Sequence, residues 1–325
     1  MTTVELLPPG ASREAWLAAR MTGIGASEIA AVLGISPWES PFSLYWRKAN
    51  RWETGDAEHL EAGRRAEAFI ADWFADRYDP LENLAVRAAG IYQHPDRPWQ
   101  LATPDRVIAL NQCACAAWDE PGETLCSCLP DDPIVAVLEC KHPYNWDGFG
   151  DDGTADIPVY YRAQLLWQMD VLGVDEGFLA AYTGHQLRIY PLRRDEADLR
   201  VMRAAGAAFM DRLAAGDPPD VDEHTATLAT LKRLHPSLVD GDVETDAQFA
   251  EGYRRARAAA KRAGALVARF EARARVQLGD KRRLMCGGRL VASRSVYDRK
   301  PYEVGPSIVD RLNPGRSATY LLEQQ

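Results

Sequence analysis

Apolar positions along this chain follow two rhythms. From Glu58 to Tyr78 they recur at three- and four-residue steps (Ala66, Phe69, Ile70, Trp73, Phe74), the stripe of an amphipathic helix. The same spacing predicts helices over Ser12–Arg20, with Ser12 placed to cap, and over Phe42–Lys48, Val159–Leu172 behind Pro158, Asp195–Ala215 and Asp246–Leu278. A shorter helix over Glu28–Leu33 follows Gly23, Gly25 and Ser27 and closes at Gly34. The other rhythm belongs to strands. Ile134–Leu138 is a continuous apolar, β-branched run, as expected of a strand buried on both faces. Arg106–Ala109 reads as a second strand. Phe178–Tyr182 and Gln186–Pro191 flank Thr183-Gly184-His185 as a hairpin, and Leu284–Val296 makes another around Gly287-Gly288. Asn145–Asp156, rich in Gly and Asp, reads as a mobile connection.

Chemistry enters where the buried strand ends. Glu139 and Lys141 are two residues apart, so they project from one face. Burying both charges costs several kcal/mol unless they are paired or bound to a metal. Taken alone, Glu-x-Lys reads as an ordinary ion pair. Asp105, at the start of the Arg106–Ala109 strand, changes this. Antiparallel pairing brings it beside Glu139, and two carboxylates on one hard cation suit Mg²⁺ or Mn²⁺. Glu67 lies at the edge of its helix's apolar stripe and is a candidate ligand or base; its plain alternative is a salt bridge to Arg64 or Lys48. Ser27, at the start of a helix behind two glycines, is placed to cap it and to offer an anion site.

Composition narrows the class. Hydrophobic residues make up 46% of the 325, enough for a large core, yet no apolar run approaches the ~18 residues that span a bilayer. The N-terminus lacks a basic-then-apolar leader pattern, which points to the cytoplasm. A net charge of −9 argues against a passive nucleic-acid coat but leaves room for an enzyme with a local basic groove. The charge is unevenly spread: residues 1–240 sum to −16 and residues 241–300 to +8. The basic stretch can meet a polyanion or dock on the acidic body, and the Ala256/Ala260/Ala263/Val267 face of its helix suits a partner helix.

Four of the six cysteines (Cys113, Cys115, Cys126, Cys128) fall within sixteen positions between the Arg106–Ala109 and Ile134–Leu138 strands. Four thiolates can close a structural Zn²⁺ site; unbound thiols, a cluster or a disulfide are the alternatives. Cys140 and Cys286 read as packing residues.

These stretches together resemble the YqaJ-type viral recombinases of the phage lambda exonuclease family, within the PD-(D/E)xK nuclease superfamily. The resemblance covers roughly residues 10–215. It rests on Arg20 with Gly23-Ile24-Gly25-Ala26-Ser27-Glu28 and Gly34-Ile35-Ser36-Pro37-Trp38, on Gly63-x-x-x-Glu67, Thr103-Pro104-Asp105 and Glu139-x-Lys141, and on Tyr161-x-x-Gln164 followed by Gln168-Met169. Arg106 stands where glycine is common. The resemblance implies an α/β (α+β) restriction-endonuclease-like core, a central mixed β-sheet flanked by helices. It further implies Asp105, Glu139 and the Cys140 carbonyl on Mg²⁺, Glu67 on a second ion or the attacking water, Lys141 orienting that water, and Gln164 positioning either. Arg20, Ser27 and Thr103 would receive a 5′-phosphate. The activity implied is 5′→3′ digestion of linear duplex DNA, by a trimeric homo-oligomer working with a single-strand annealing protein. An endonuclease of the same superfamily, or a non-catalytic DNA-binding accessory protein, are the rival readings. The domain reading is a nuclease domain over 1–225 with a Cys-rich insertion at 111–131, a linker over 226–245, and a helix-plus-hairpin extension over 246–325.

Overall fold

In the computed structural model, residues 3–52, 58–78, 84–110, 133–237 and 239–297 are described, with 58–60 described by backbone alone. Cys113, Cys115, Cys126 and Cys128 lie outside them, so the zinc reading has no structural counterpart here. Two compact units divide between Leu234 and His235.

The first unit opens with β1 (Val4–Leu7) and α1 (Arg13–Arg20), capped as expected by Ser12, whose Oγ accepts the Ala15 N–H at 3.2 Å. Then come α2 (Ile29–Val32), α3 (Pro41–Ala49) and α4 (Glu58–Tyr78). A run of strands follows: β2 (Leu84–Ala88), β3 (Ile91–His94), β4 (Arg97–Ala102), β5 (Arg106–Leu110) and β6 (Ile134–Lys141). Next are α5 (Val159–Leu172), the hairpin β7 (Glu176–Thr183) and β8 (Gln186–Arg193), α6 (Glu196–Ala215) and α7 (Thr225–Leu234).

Five strands form one sheet in the order β2-β5-β6-β7-β8, and β1-β3-β4 form a second. Only the β6–β7 pairing in the larger sheet is parallel, because α5 carries the chain across between them. Ala136, Leu138 and Cys140 on β6 face α4 and pack with Ile70, Phe74 and Phe178. Val137, one step on, belongs to the opposite layer with Leu165, Trp167 and Met169 of α5. By the same alternation Glu139 and Lys141 face the α5 layer. That helix packs against strands of both sheets, which is why every residue from Ala163 to Leu172 is buried.

Several expectations change. The four strands β1–β4 went unread. Phe69 is half exposed (51%) rather than in the stripe, resting on Trp73 and Tyr182. Asn145–Asp156 is tied down instead of loose: Gly150 O accepts from Arg188 and from the Tyr190 hydroxyl, and Asp152 accepts the Ile189 N–H at 2.7 Å. Residues 225–234 are no linker but α7, lying on α3, where buried Ser40 and Thr227 share a hydroxyl–hydroxyl hydrogen bond of 2.6 Å.

The second unit holds α8 (Ala247–Leu278), capped by Asp246 at the Phe249 N–H, and the hairpin β9 (Arg283–Cys286)–β10 (Arg289–Ser293). Leu278 is the sole residue of α8 that is buried. Cys286, expected in packing, is exposed beside the Gly287-Gly288 turn. Among the described residues no helix is long and apolar enough to cross a membrane.

Candidate active site

The site lies where β6 ends. Leu138 pairs with Arg106 and Val137 with Val107, so the antiparallel register continues to set Asp105 against Glu139. Asp105 is held there by the Cys140 N–H, which donates to its Oδ2 at 2.7 Å. Glu139 is 3% exposed and grasped from three sides. Its Oε1 accepts from Lys141 Nζ and from Gln164 Nε2, and its Oε2 from Gln168 Nε2 at 2.6 Å. Gln164 and Gln168 are one helical turn apart on α5, an i,i+4 pair aimed at one carboxylate. Lys141 in turn places its ammonium 5.4 Å from the centre of the Tyr161 ring.

Electrostatics single out the cluster. Burial, then the charge of Glu139, drives the Asp105 carboxyl well above its usual range, against the pull of Lys141. Glu67 on α4 is raised for the same two reasons, which places its carboxylate within electrostatic reach of Glu139 and Lys141. Of its plain alternatives, Lys48 is taken by Glu28 at 2.8 Å, whereas Arg64 pairs with Glu61 at 2.8 Å and also draws the Glu67 carboxyl down. Burial depresses Lys141, but Glu139 and Asp105 more than restore it, so its ammonium is a fixed positive charge rather than a base. The Cys140 thiol is raised by burial and by Asp105 and stays protonated, so it offers a metal its backbone oxygen, not its sulfur.

Three acidic side chains thus gather about one ammonium, with Arg106 and Arg64 adding positive charge near Glu67. That surplus of hard oxygen donors and negative charge fits a divalent cation of the Mg²⁺ or Mn²⁺ type. Among the described residues no three acidic, His or Cys side chains form a ready-made cage. Both oxygens of Glu139 are already engaged, so a cation would take the place that the Lys141 ammonium holds beside Oε1.

The residues expected to receive a 5′-phosphate are arranged differently from the expectation. Ser27 caps nothing: α2 is a single turn of four residues whose N-cap is Glu28. Instead Ser27 Oγ accepts from Arg20 at 3.2 Å, and the Arg20 guanidinium lies over Trp16 at 4.5 Å. Glu28 is buried behind them. Its carboxylate meets Lys48 at 2.8 Å, Arg47 at 2.9 Å and Arg20 at 3.5 Å, and accepts the Gly25 N–H at 2.8 Å. Burial pushes the Glu28 carboxyl up, and these three cations outweigh it, bringing it down to about 2. Lys48 also donates to the Gly23 carbonyl at 2.6 Å. Gly23 is needed as glycine because a Cβ there would sit 2.1 Å from Trp99 O. Thr103 is half-buried just past β4, the strand bridged by Ile24, and no hydrogen bond joins it to Arg20 or Ser27 among the described residues.

Sequence reasoning named Gln164 but gave Gln168 no role at Glu139; its polar side chain one helical turn beyond Gln164 was the available signal. It also missed the charges that centre on Glu28.

A mixed sheet with Asp105, Glu139 and Lys141 at the end of its central strands defines the PD-(D/E)xK arrangement. The family profile described as the YqaJ-like viral recombinase domain matches residues 15–185, and the chain belongs to that family. A curated relative, the uncharacterized protein YqaJ of Bacillus subtilis (strain 168), is 27% identical over 234 residues. That alignment takes in 69% of this chain and 64% of the relative's length. Among solved structures, the alkaline exonuclease LHK-Exo from Laribacter hongkongensis is 16% identical, with 69% of this chain and 100% of that one covered and a TM-score of 0.46. LHK-Exo in complex with dAMP is 18% identical, with 69% and 98% covered and the same TM-score.

Proposed function

We propose that this chain is a metal-dependent deoxyribonuclease that digests linear double-stranded DNA from its 5′ ends. The 3′ single-stranded overhangs it leaves would serve phage-type homologous recombination by single-strand annealing. The observation that supports this most is the side-by-side setting of Asp105 and Glu139 on paired strands, with Lys141 and Glu67 beside them, in a chain of the YqaJ-like family. The polarity, the duplex substrate, an annealing partner and a trimeric assembly come from the resemblance of the ordered motifs.

The residues divide the work. Asp105, Glu139 and the Cys140 carbonyl would hold Mg²⁺ or Mn²⁺, with Glu67 serving a second ion or the attacking water. Bound there, the ion supplies an activated water and neutralises charge on the scissile phosphate and leaving oxygen. Lys141, permanently charged, faces the phosphate oxygens on which negative charge grows. Gln164 and Gln168 keep the Glu139 carboxylate in a single orientation through its two oxygens. Arg20 and Ser27, already in contact, and Thr103 are the groups offered to a terminal phosphate.

The test is Mg²⁺-supplied digestion of linear duplex, closed circle and 5′-hydroxyl duplex by the full chain and by Glu139→Ala. Loss of the carboxylate is expected to remove activity by several kcal/mol of transition-state stabilisation, a factor of at least about 10³. Undiminished digestion by Glu139→Ala refutes the proposal, and rapid cutting of the closed circle replaces it with an endonuclease.

A further inference from the structure

Away from the carboxylates, α3 and α7 enclose an open cleft of about 380 Å³, lined among others by Trp38, Trp52, Arg47, Arg233 and Thr230. This is within the size range of small-molecule sites, which begins near about 300 Å³. Its walls are unusual for a seam between two helices. Trp38 is 63% exposed, although its indole is held in place: Tyr160 meets it edge-on at 4.8 Å and Tyr161 at 6.0 Å. On the other wall the Arg233 guanidinium lies 4.0 Å over the Trp52 ring.

The charges there are unequally committed. Arg47 is taken by Glu39 at 2.7 Å and Glu28 at 2.9 Å, which also answers the acidic side chain in the cleft. Arg233 makes no ion pair among the described residues and remains the cleft's available cation. The cleft adjoins the catalytic centre through aromatic rings alone. Trp38 touches Tyr161, and Tyr161 carries the Lys141 ammonium over its ring at 5.4 Å.

We infer that this cleft receives an unpaired nucleotide of the DNA strand processed at Lys141, its base stacked on Trp38 and its phosphate on Arg233. The inference rests on the nuclease reading and extends it from the scissile bond to the neighbouring nucleotide. Chemistry favours that occupant over a protein segment. An exposed ring face is sequence-tolerant toward bases, and a lone guanidinium suits a phosphate. The nucleotide must be unpaired, since bases within a duplex already spend their faces on each other. Part of the cleft comes from α7, beyond the residues that the family profile matches.

The test is binding of the full chain, in EDTA so that nothing is hydrolysed, to a duplex whose short single-stranded overhang carries 2-aminopurine. A blunt duplex of the same sequence is the control. Binding should quench the fluorescent base. Trp38→Ala should weaken overhang binding about tenfold, the size of one lost base stack, and leave the blunt duplex unaffected. Trp38→Phe should restore most of the loss, and Arg233→Ala should lower the salt slope by about one. Because both side chains are largely exposed and lose only ring contacts, thermal melting should fall by no more than a few degrees in all three variants. Overhang binding by Trp38→Ala at the parent's affinity overturns the inference, and so does an equal loss on the blunt duplex. The readout needs no turnover, so a parent that quenches the overhang but hydrolyses no DNA with any metal would overturn the nuclease reading alone.

Discussion

Replacing Gln168 by Met should separate a buried hydrogen bond's contribution to stability from its hold on Glu139, the carboxylate proposed to be catalytic. Gln168 is fully buried; its Nε2 donates to Glu139 Oε2 at 2.6 Å, while its own Oε1 has no hydrogen-bond partner. The opposite amide orientation would set that oxygen against the carboxylate, so the orphan is built into the arrangement. A hydrogen bond to a charged group contributes about 1.5–3 kcal/mol, and an unsatisfied buried acceptor costs about 1–3 kcal/mol. Met removes both at nearly constant volume. The two contributions oppose each other, but Glu139 Oε2 is left buried without this donor, so the net loss of unfolding free energy should be about 1–3 kcal/mol.

Function should not be spared in the same way. Glu139 keeps Gln164 and Lys141 on Oε1 but loses the restraint on Oε2. Loss of a group that orients a metal-ligating side chain typically costs about 10- to 100-fold in metal affinity or activity. Urea unfolding gives the first quantity; the Mg²⁺ dependence of duplex digestion gives the second. A variant destabilised by more than about 3 kcal/mol, with an unaltered Mg²⁺ titration and rate, would show Gln168 to be scaffold and the reasoning to be wrong.

Three further outcomes are expected. Asp170 is buried among Arg97, Arg194 and Arg203 and accepts from Gln100; burial raises its carboxyl, and the bonds from Arg203, Gln100 and Arg194 outweigh this and lower it. Asp170→Asn should therefore cost about 3–5 kcal/mol in denaturant unfolding, and a loss below about 1 kcal/mol would contradict it. Glu28, depressed from 4.5 to about 2, contributes stability that is present above about pH 4.5 and lost as pH falls toward 2. The shift corresponds to about 3 kcal/mol, so the deficit of Glu28→Gln at pH 7 should shrink in acid; a deficit constant between pH 7 and 3 would remove the linkage. Arg20→Ala should reduce the preference for phosphorylated over hydroxyl 5′ ends about tenfold or more, as expected for a lost charge-assisted contact, and unchanged discrimination would move the phosphate pocket elsewhere.

How much was legible follows from which forces act locally. The α4, α5, α6 and α8 helices announce themselves because their apolar spacing is sustained over many turns, and β6 does so because both its faces are buried. The strands β1 to β4 do not. They are four to six residues long, and β4 opens Arg97-Pro98, a combination that propensity alone reads as a loop. The α7 helix was passed over for a linker because its buried positions are Thr227 and Thr230, not apolar residues. Phe69 misled in the other direction: a large aromatic at helical spacing was placed in the core, whereas it covers Trp73 and Tyr182 at the surface.

The site was legible in its acids and illegible in its surroundings, and the difference is a matter of counting cations. Strand alternation suffices to put Asp105, Glu139 and Lys141 together, since it needs only a period of two and one antiparallel pairing. It does not tell whether such acids are structural ion pairs. The chain contains both kinds. Glu28 and Asp170 are each surrounded by three cations, and their carboxyls are pulled down, as expected of scaffold charges satisfied within the protein. Asp105 shares the ammonium of Lys141 with Glu139, and Glu67 feels it together with the weaker pull of Arg106 and Arg64, yet burial and the charge of Glu139 still push both carboxyls up. A chain that maintains this surplus of negative charge at the end of its central strand, while giving Glu28 and Asp170 three cations each, is suited to take the balance from outside. In the proposed nuclease a divalent metal and a phosphodiester would together supply it, the metal to the carboxylates and the phosphate to Lys141.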